Sequence, residues 1–268
     1  MKASVATTPA GLQVRNLVKH FGGVKAVQGV SFEVFPGECV ALIGPNGAGK
    51  STTFACIAGQ HALTSGDVLW AGQSIAHLTP TQRLQAGVAR TFQVAQTFEA
   101  LTVLQNVQLV LGVDKGFSAF RLLEHKAQDT AMRLLAEFGL RSDAHRPVLG
   151  LPYGLKKRLE LAMALAGISG ISTGPAKPLL LLLDEPAAGL AAEERLALMQ
   201  TVKAQATQGL AVLYTEHNMD AVFGVADRVL VLMDGKIAAQ GTPDAIAKDS
   251  TVQRRYLGLN FHAGPQHA

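Results

Sequence analysis

Gly44-Pro45-Asn46-Gly47-Ala48-Gly49-Lys50-Ser51 matches the pattern G-x-x-x-x-G-K-S at every position. The apolar run 39–43 in front of it is typical of a buried strand, and residues 50 to about 58 predict a helix. A glycine-rich loop in this setting can turn its N–H groups toward phosphate oxygens, and the helix N-terminus adds partial positive charge. We expect Lys50 to reach the β- and γ-phosphates and Ser51 to offer a hydroxyl to Mg²⁺. The complete match favours a nucleotide site over a glycine-rich turn without a ligand.

Two adjacent acids, Asp184 and Glu185, end the run of five leucines at 179–183. Neighbouring side chains of a strand point to opposite faces, so Asp184 can turn to a Mg²⁺ shell while Glu185 faces the γ-phosphate. Hydrolysis needs a water aligned with the leaving group, and Glu185 is a reasonable general base for it. An acid pair can also end a strand in solvent, but the phosphate loop upstream favours the catalytic interpretation.

Composition narrows the function classes. The chain has 268 residues, enough for one or two domains, and its charged fraction of 16% is low against an average of about 25%. The net charge is only +4, and the densest basic run is Lys156-Lys157-Arg158. Neither feature indicates a nucleic-acid partner, because such proteins usually cluster Lys and Arg in a stripe. Cys39 and Cys56 give neither a metal spacing nor a disulfide framework, which fits a reduced, cytosolic compartment. We expect no signal peptide and no membrane-spanning helix.

The order of apolar patterns predicts an α/β protein. Strand, loop and helix come first, and residues 101 to about 166 are mostly of helical pattern. Apolar strands return near 179–183, 211–214 and 229–233. This order predicts an α/β core with a helical subdomain inserted in it.

The phosphate loop and the acid pair are accompanied by further motifs in the order that one family has. The chain resembles the ATP-binding subunits of ABC transporters over about residues 12–258. The resemblance implies an α/β P-loop NTPase (RecA-like) core with an N-terminal antiparallel β subdomain. It implies an inserted helical subdomain at about 94–175, with tails at 1–11 and 259–268. The two cofactors it implies are ATP and Mg²⁺.

The same resemblance assigns roles to individual residues. Phe21 would stack on adenine, and Gln93 would ligate Mg²⁺ and link the core to the helical subdomain. His217 would contact the γ-phosphate and form the catalytic set with Glu185. The implied ATP-binding set is Phe21, Gly44, Pro45, Asn46, Gly47, Ala48, Gly49, Lys50, Ser51, Thr52 and Gln93, and the implied metal set is Ser51, Gln93 and Asp184. The segment in the signature position would touch ATP held by the opposite subunit; it consists of Leu151, Pro152, Tyr153, Gly154 and Leu155.

A narrower resemblance is to the ATPase subunits of importers for branched-chain amino acids. It is carried by the stretches 90–93, 153–154, 184–190, 216–219 and 256–258. It implies a second ABC ATPase subunit, identical or different, two membrane-spanning permease subunits and, indirectly, a periplasmic substrate-binding protein. The location implied is the cytoplasmic face of the inner membrane. Alternatives are a low-turnover regulatory subunit, an importer for urea, amides or another small solute, and an ABC protein of translation or repair.

Several positions depart from the family pattern. Pro152 replaces the serine of the signature, Leu155 replaces its glutamine, and Ala191 stands where the family usually has Asp or Asn. Proline at a first helical position would keep the helix start while donors are lost, so we expect a weaker contact to the partner's ATP. The cations at 156–158 oppose the helix dipole, and either a bound anion or a solvated basic face would explain them. The link at 167–178 is longer than usual and is expected to be a surface loop.

Overall fold

The computed structural model describes residues 11–91, 97–112, 125–169 and 178–258. The chain begins with β1 (Leu12–Phe21), β2 (Val24–Val34), β3 (Cys39–Ile43), α1 (Lys50–Ile57), β4 (Ser65–Trp70), β5 (Gln73–Ser74), α2 (Pro80–Gln85) and β6 (Val88–Arg90). Then come α3 (Val103–Gly112), α4 (His125–Glu137) and α5 (Tyr153–Ser169). The rest forms β7 (Leu180–Asp184), α6 (Ala192–Thr207), β8 (Ala211–Thr215), α7 (Met219–Phe223), β9 (Arg228–Met233), β10 (Lys236–Gly241), α8 (Pro243–Lys248), α9 (Ser250–Val252) and a π-helical turn, Gln253–Leu257.

The larger sheet positions the site. Its strand order is β10-β9-β3-β8-β7-β6, and all neighbours are parallel except the edge pair β10 and β9. Every residue of β3 and of β8 is buried, as expected for strands covered on both faces. The carboxyl ends of parallel strands meet at one edge, so the residues after β3, β7 and β8 come together there.

A second, antiparallel sheet has the strand order β2-β1-β4-β5. Its inward side chains share a hydrophobic cluster with α1 and with one face of the larger sheet, through residues such as Val14, Phe54 and Leu182. Helix α1 is therefore held between the two sheets, which fixes the loop that precedes it.

Helices α3, α4 and α5 lie between β6 and β7 in the sequence, where the helical pattern was expected. They pack on one another through buried side chains such as Val107, Leu135, Phe138 and Leu159. The structure thus confirms the predicted fold class: an α/β core, an antiparallel sheet and an inserted group of helices. Within the described ranges, no helix is long and apolar enough to cross a membrane.

Candidate functional site

The phosphate loop owes its shape to glycines. Gly44, Gly47 and Gly49 have φ values of 147°, 79° and 101°, a region that side chains rarely adopt. A Cβ atom at Gly44 would lie 2.0 Å from the carbonyl oxygen of Leu232, and one at Gly49 would lie 2.4 Å from that of Ala26. The loop is therefore packed against neighbouring backbone at both ends.

Lys50 is folded back over this loop. Its Nζ donates to the carbonyl oxygens of Gly44 at 2.7 Å and Pro45 at 3.0 Å, and the residue is 7% exposed. Burial lowers its pKa below the ordinary value of 10.5, while the charges of Glu185 and Asp184 act in the opposite direction. Burial removes water from the Lys50 ammonium, and the two nearby acids help to keep it charged. Such an ammonium is suited to bind a polyanion, because phosphate oxygens can replace the lost water.

The hydroxyl residues after Lys50 differ in exposure. Ser51 is exposed and Thr52 is half-buried. Thr53 is buried, and its hydroxyl donates to the Gly49 carbonyl at 2.9 Å. Ser51 is thus the most exposed of these three hydroxyls, and its role toward Mg²⁺ stays a prediction.

Asp184 ends β7 with both carboxylate oxygens engaged. The Thr215 hydroxyl donates to Oδ1 at 2.8 Å, and Arg90 Nη2 donates to Oδ2 at 2.8 Å. The strand register places Asp184 beside Thr215, and Arg90 ends the neighbouring strand β6. A carboxylate oxygen has two lone pairs, so Asp184 keeps acceptor capacity on both atoms.

Glu185 adopts a left-handed backbone conformation with φ 49°. Its N–H donates to Thr215 Oγ1 at 3.0 Å. Its Oε1 lies 2.8 Å from His217 Nε2, within hydrogen-bond distance, so the ring donates when Nε2 carries the proton. The structure therefore brings together the two residues that the sequence assigns to catalysis.

Glu216, between Thr215 and His217, has a buried side chain. Its Oε1 accepts the N–H of Ala187 at 3.2 Å, and its Oε2 accepts the N–H of His217 at 3.1 Å. The residue is 4% exposed. The sequence assigns no role to Arg90, Thr215 or Glu216, because their partners Asp184, Glu185 and Ala187 are brought near by strand pairing.

Phe21 ends β1 and is 44% exposed. Lys19 Nζ lies 4.7 Å from the centroid of its ring, and His61 meets the ring edge-on at 5.2 Å between centroids. An exposed aromatic ring with a cation beside it can stack on a base. Gln93 lies outside the described residues.

The signature segment lies at the start of α5, with Leu151 buried and Pro152 and Tyr153 exposed. The helix begins at Tyr153, so the expectation that Pro152 is the first helical residue is off by one position. The Pro152 carbonyl accepts the N–H groups of Leu155 and Lys156, both at 3.1 Å. A Cβ on Gly189 would lie 3.3 Å from Tyr153 Cε1, so Tyr153 packs on the segment that follows Glu185.

Two of the three cations in the basic run at 156–158 pair with acids of the chain. Lys156 Nζ binds Glu99 Oε1 at 2.7 Å. Lys157 is 2% exposed, with its Nζ 3.3 Å from Glu160 Oε2 and 5.8 Å from the Tyr153 ring centroid. Acids of this chain therefore supply charge that offsets these two cations, and an outside anion at the start of this helix stays a prediction.

The C-terminal turn reaches the phosphate loop. Arg255 Nη2 binds Asp234 Oδ2 at 2.6 Å, and the neighbouring Gly235 N–H donates to the Ala48 carbonyl at 3.1 Å. Burial raises the pKa of the Tyr256 hydroxyl, and a hydrogen bond from the Gly44 backbone opposes that rise. The loop is thus contacted from the end of the described chain as well as from β9.

A profile of the family described as "ABC transporter" matches residues 27–188, more than half of the chain. This chain belongs to the ABC transporter family. It is an ATPase of that family, and its nucleotide is ATP or the product ADP. The structural likeness agrees: the chain superposes on a nucleotide-free ATP-binding cassette from an ABC transporter with a TM-score of 0.78 and 29% identity, over 92% of this chain and 99% of that one. An ATP-binding cassette of an ABC transporter in its ADP conformation gives 0.80 and 30%, over 94% and 100%.

Relatives of known function include proteins of more than one transport system. The high-affinity branched-chain amino acid transport ATP-binding protein LivG of Escherichia coli is 37% identical, over 92% of this chain and 97% of that protein. BraF of Pseudomonas aeruginosa, with the same description, is 34% identical over 92% and 97%. LptB of Escherichia coli, a lipopolysaccharide export system ATP-binding protein, is 33% identical over 94% and 99%. These relatives belong to transport systems for different substrates, branched-chain amino acids in two cases and lipopolysaccharide in the third.

Proposed function

We propose that this chain is the ATP-hydrolysing subunit of an importer for branched-chain or related amino acids. The observation that carries the catalytic part is the contact of Glu185 Oε1 with His217 Nε2 at 2.8 Å, beside Asp184 and Lys50. The transport part is supported by the likeness to LivG and BraF, which exceeds the likeness to LptB by one to four percentage points of identity.

The residues at the sheet edge fit Mg²⁺. Ser51 offers an exposed hydroxyl and Asp184 a carboxylate, both oxygen donors of the kind that Mg²⁺ prefers. In the described ranges there is no group of three His, Cys, Asp or Glu residues that could hold a metal by itself. The ion would therefore share its shell with nucleotide phosphates and with Gln93, and when bound it neutralises charge that develops on those phosphates.

The proposed catalytic step uses side chains and backbone amides of this chain. Lys50 leaves the Gly44 and Pro45 carbonyls to bind the β- and γ-phosphates, with the loop amides of residues 44–52 around them. Glu185 accepts the proton of the water that attacks the γ-phosphorus, while the bond from this phosphorus to the bridging oxygen breaks and ADP leaves. Such general-base catalysis raises the rate by about 10²–10⁴-fold. His217 holds the Glu185 carboxylate on one side and contacts the γ-phosphate on the other. Phe21 stacks on the adenine.

The active unit in this proposal is a dimer on a membrane partner. A second ABC ATPase subunit covers each ATP with its signature segment, residues 151–155. The ATPase domain spans 12–258, with the helical subdomain at about 94–175 and tails at 1–11 and 259–268. Two permease subunits contact this dimer at the cytoplasmic face of the inner membrane and respond to its closing and opening. A periplasmic binding protein delivers the solute.

The test combines hydrolysis with transport. Phosphate release is measured for the full chain and for Glu185→Gln, and uptake of labelled leucine, isoleucine and valine is measured in cells that carry either form. We expect Glu185→Gln to abolish both. Loss of urea or amide uptake alone, or a lipopolysaccharide export defect with normal amino-acid uptake, would move the assignment to another transporter.

A low-turnover regulatory subunit is a second candidate, favoured by one observation. Ala191 is the N-cap residue of α6 and has no side chain to bind the first turn, at the position that helps to couple the two ATP sites in the family. The two candidates separate in the same assay, because a regulatory subunit would release little phosphate and would not respond to Glu185→Gln.

A further inference from the structure

The side chain of Glu216 connects the two segments that carry the catalytic pair. Its carboxylate accepts the N–H of Ala187, two residues after Glu185, and the N–H of His217 itself. The Asn218 N–H lies 3.5 Å from Oε2, the oxygen that accepts the His217 N–H. One side chain therefore links the backbone after β7 to the backbone after β8.

A carboxylate is a costly choice for this place. The residue is 4% exposed, and a charge taken out of water must be repaid by hydrogen bonds or by an opposite charge. Across the described ranges, the donors that reach it are the backbone amides named above, and no cation lies within ion-pair distance. Amides can satisfy a carboxylate only while they point at it, so this arrangement holds two backbone segments in a fixed relation.

Thr215 provides a second link one residue earlier. Its hydroxyl accepts the Glu185 N–H and donates to Asp184 Oδ1, at 3.0 and 2.8 Å. This link fixes Asp184 and the left-handed backbone of Glu185, but it does not reach His217. Among the residues that the structure describes, the Glu216 carboxylate is the one side chain that joins the His217 backbone to the segment after Glu185.

We propose that Glu216 is a positioning residue for ATP hydrolysis, which keeps the Glu185 carboxylate and the His217 imidazole in contact by bracing the segments that carry them. Glu216 touches neither the reacting atoms nor the nucleotide. Its removal leaves the phosphate loop intact and lets Glu185 and His217 separate. A misplacement of about 1 Å at such a pair can lower turnover by about 100-fold.

The inference rests on the catalytic roles proposed for Glu185 and His217, and the experiment is designed to separate the two. Full-length wild type, Glu216→Gln, Glu216→Asp, Glu185→Gln and the control Glu193→Gln are compared. Glu193 is an exposed acid in the first turn of α6 and has no part in the site. For each protein, kcat and KM for Mg-ATP, the Kd of a fluorescent ADP analogue and the melting temperature are measured.

We expect Glu216→Gln to lower kcat by about ten-fold or more, with KM and Kd near the wild-type values, since the amide nitrogen of glutamine faces a backbone N–H and breaks one arm of the brace. Glu216→Asp keeps both anionic oxygens on a shorter stem, so it should regain much of the lost kcat. Glu193→Gln should match the wild type.

Three results would overturn the inference. Unchanged kcat in Glu216→Gln is one. A parallel fall of kcat, nucleotide affinity and melting temperature is another, because it would indicate general loss of structure. If Glu216→Gln does not fold, a folded Glu216→Ala protein with wild-type kcat is the third. Full turnover by Glu185→Gln would overturn the proposed function itself, whereas loss in Glu185→Gln with none in Glu216→Gln would overturn only the inference.

Discussion

Arg90 Nη2 donates to Asp184 Oδ2 at 2.8 Å and so joins the end of β6 to the end of β7. Both side chains are 13% exposed, so solvent screens this pair only weakly. Arg90 also binds Gln60 through its other terminal nitrogen. The ion pair ties the acid expected to serve Mg²⁺ to the strand that leads toward Gln93.

Replacing Arg90 by Met should lower the free energy of unfolding by about 1.5–3 kcal/mol, the range for hydrogen bonds to charged groups. Mg-ADP should recover part of this loss, because the ion supplies positive charge beside Asp184. The measurement is urea unfolding with and without Mg-ADP. Arg133→Met, at an exposed position on α4, is the control and should change stability by no more than about 0.5 kcal/mol. An Arg90→Met protein as stable as this control would show that the pair contributes nothing.

Lys50→Met should weaken the binding of Mg-ATP and leave the stability of the nucleotide-free protein nearly unchanged. The charged hydrogen bonds from Lys50 to phosphate are lost, so the affinity for Mg-ATP should fall by about 10- to 100-fold. The stability of the nucleotide-free protein should change little, because the variant also removes a desolvated charge. Equilibrium binding and urea unfolding measure the two effects. Equal affinity in the variant and the wild type would contradict the assignment of the phosphate loop.

The lowered pKa of Lys50 also predicts a pH effect on the nucleotide-free protein. The folded state releases this proton at a lower pH than the unfolded state, whose Lys50 has the ordinary pKa near 10.5. Between the two pKa values the unfolded state binds more protons, so stability attributable to Lys50 should rise with pH there. The difference in unfolding free energy between wild type and Lys50→Met, followed from pH 7 to 10, isolates the effect. A difference that falls over this range would contradict the sign.

Ala191→Asn should stabilise α6. The N-cap position of this helix has extended dihedral angles, φ −61° and ψ 158°, and lacks a side-chain acceptor for the first-turn amides. Asparagine supplies that acceptor, which is worth about 0.5–2 kcal/mol. Urea unfolding measures the gain, and Ala192→Asn, one residue inside the helix, should give none. If the two variants behave alike, capping is not the reason.

Pro152→Ser should act twice. Because α5 begins at Tyr153, position 152 is the N-cap, where serine both caps the helix and restores a backbone N–H. We expect higher stability by about 1 kcal/mol and stronger ATP-driven pairing of subunits, measured by gel filtration in the Glu185→Gln background. Pro243→Ser, at the first position of α8, is the control. No increase in pairing would contradict a weakened contact to the partner's ATP.

The local patterns predicted much of this molecule. The phosphate loop, the buried strands and the acid pair at 184–185 depend on residues close in sequence. The structure places the loop and the acid pair at the carboxyl ends of these strands. Long-range pairing could not be predicted in this way. Lys156 meets Glu99 only because α5 packs beside the segment before α3. Arg90, Thr215 and Glu216 likewise find their partners through strand neighbours, which no spacing along the chain reveals.

The left-handed backbone of Glu185 sets two kinds of selection against each other. A side chain held there costs about 1–3 kcal/mol, and glycine would relieve that cost. Glycine would also remove the carboxylate that His217 contacts. With Glu185 as the proposed general base, a glycine that stabilised the fold at position 185 would also lower turnover, so stability and activity favour different residues there.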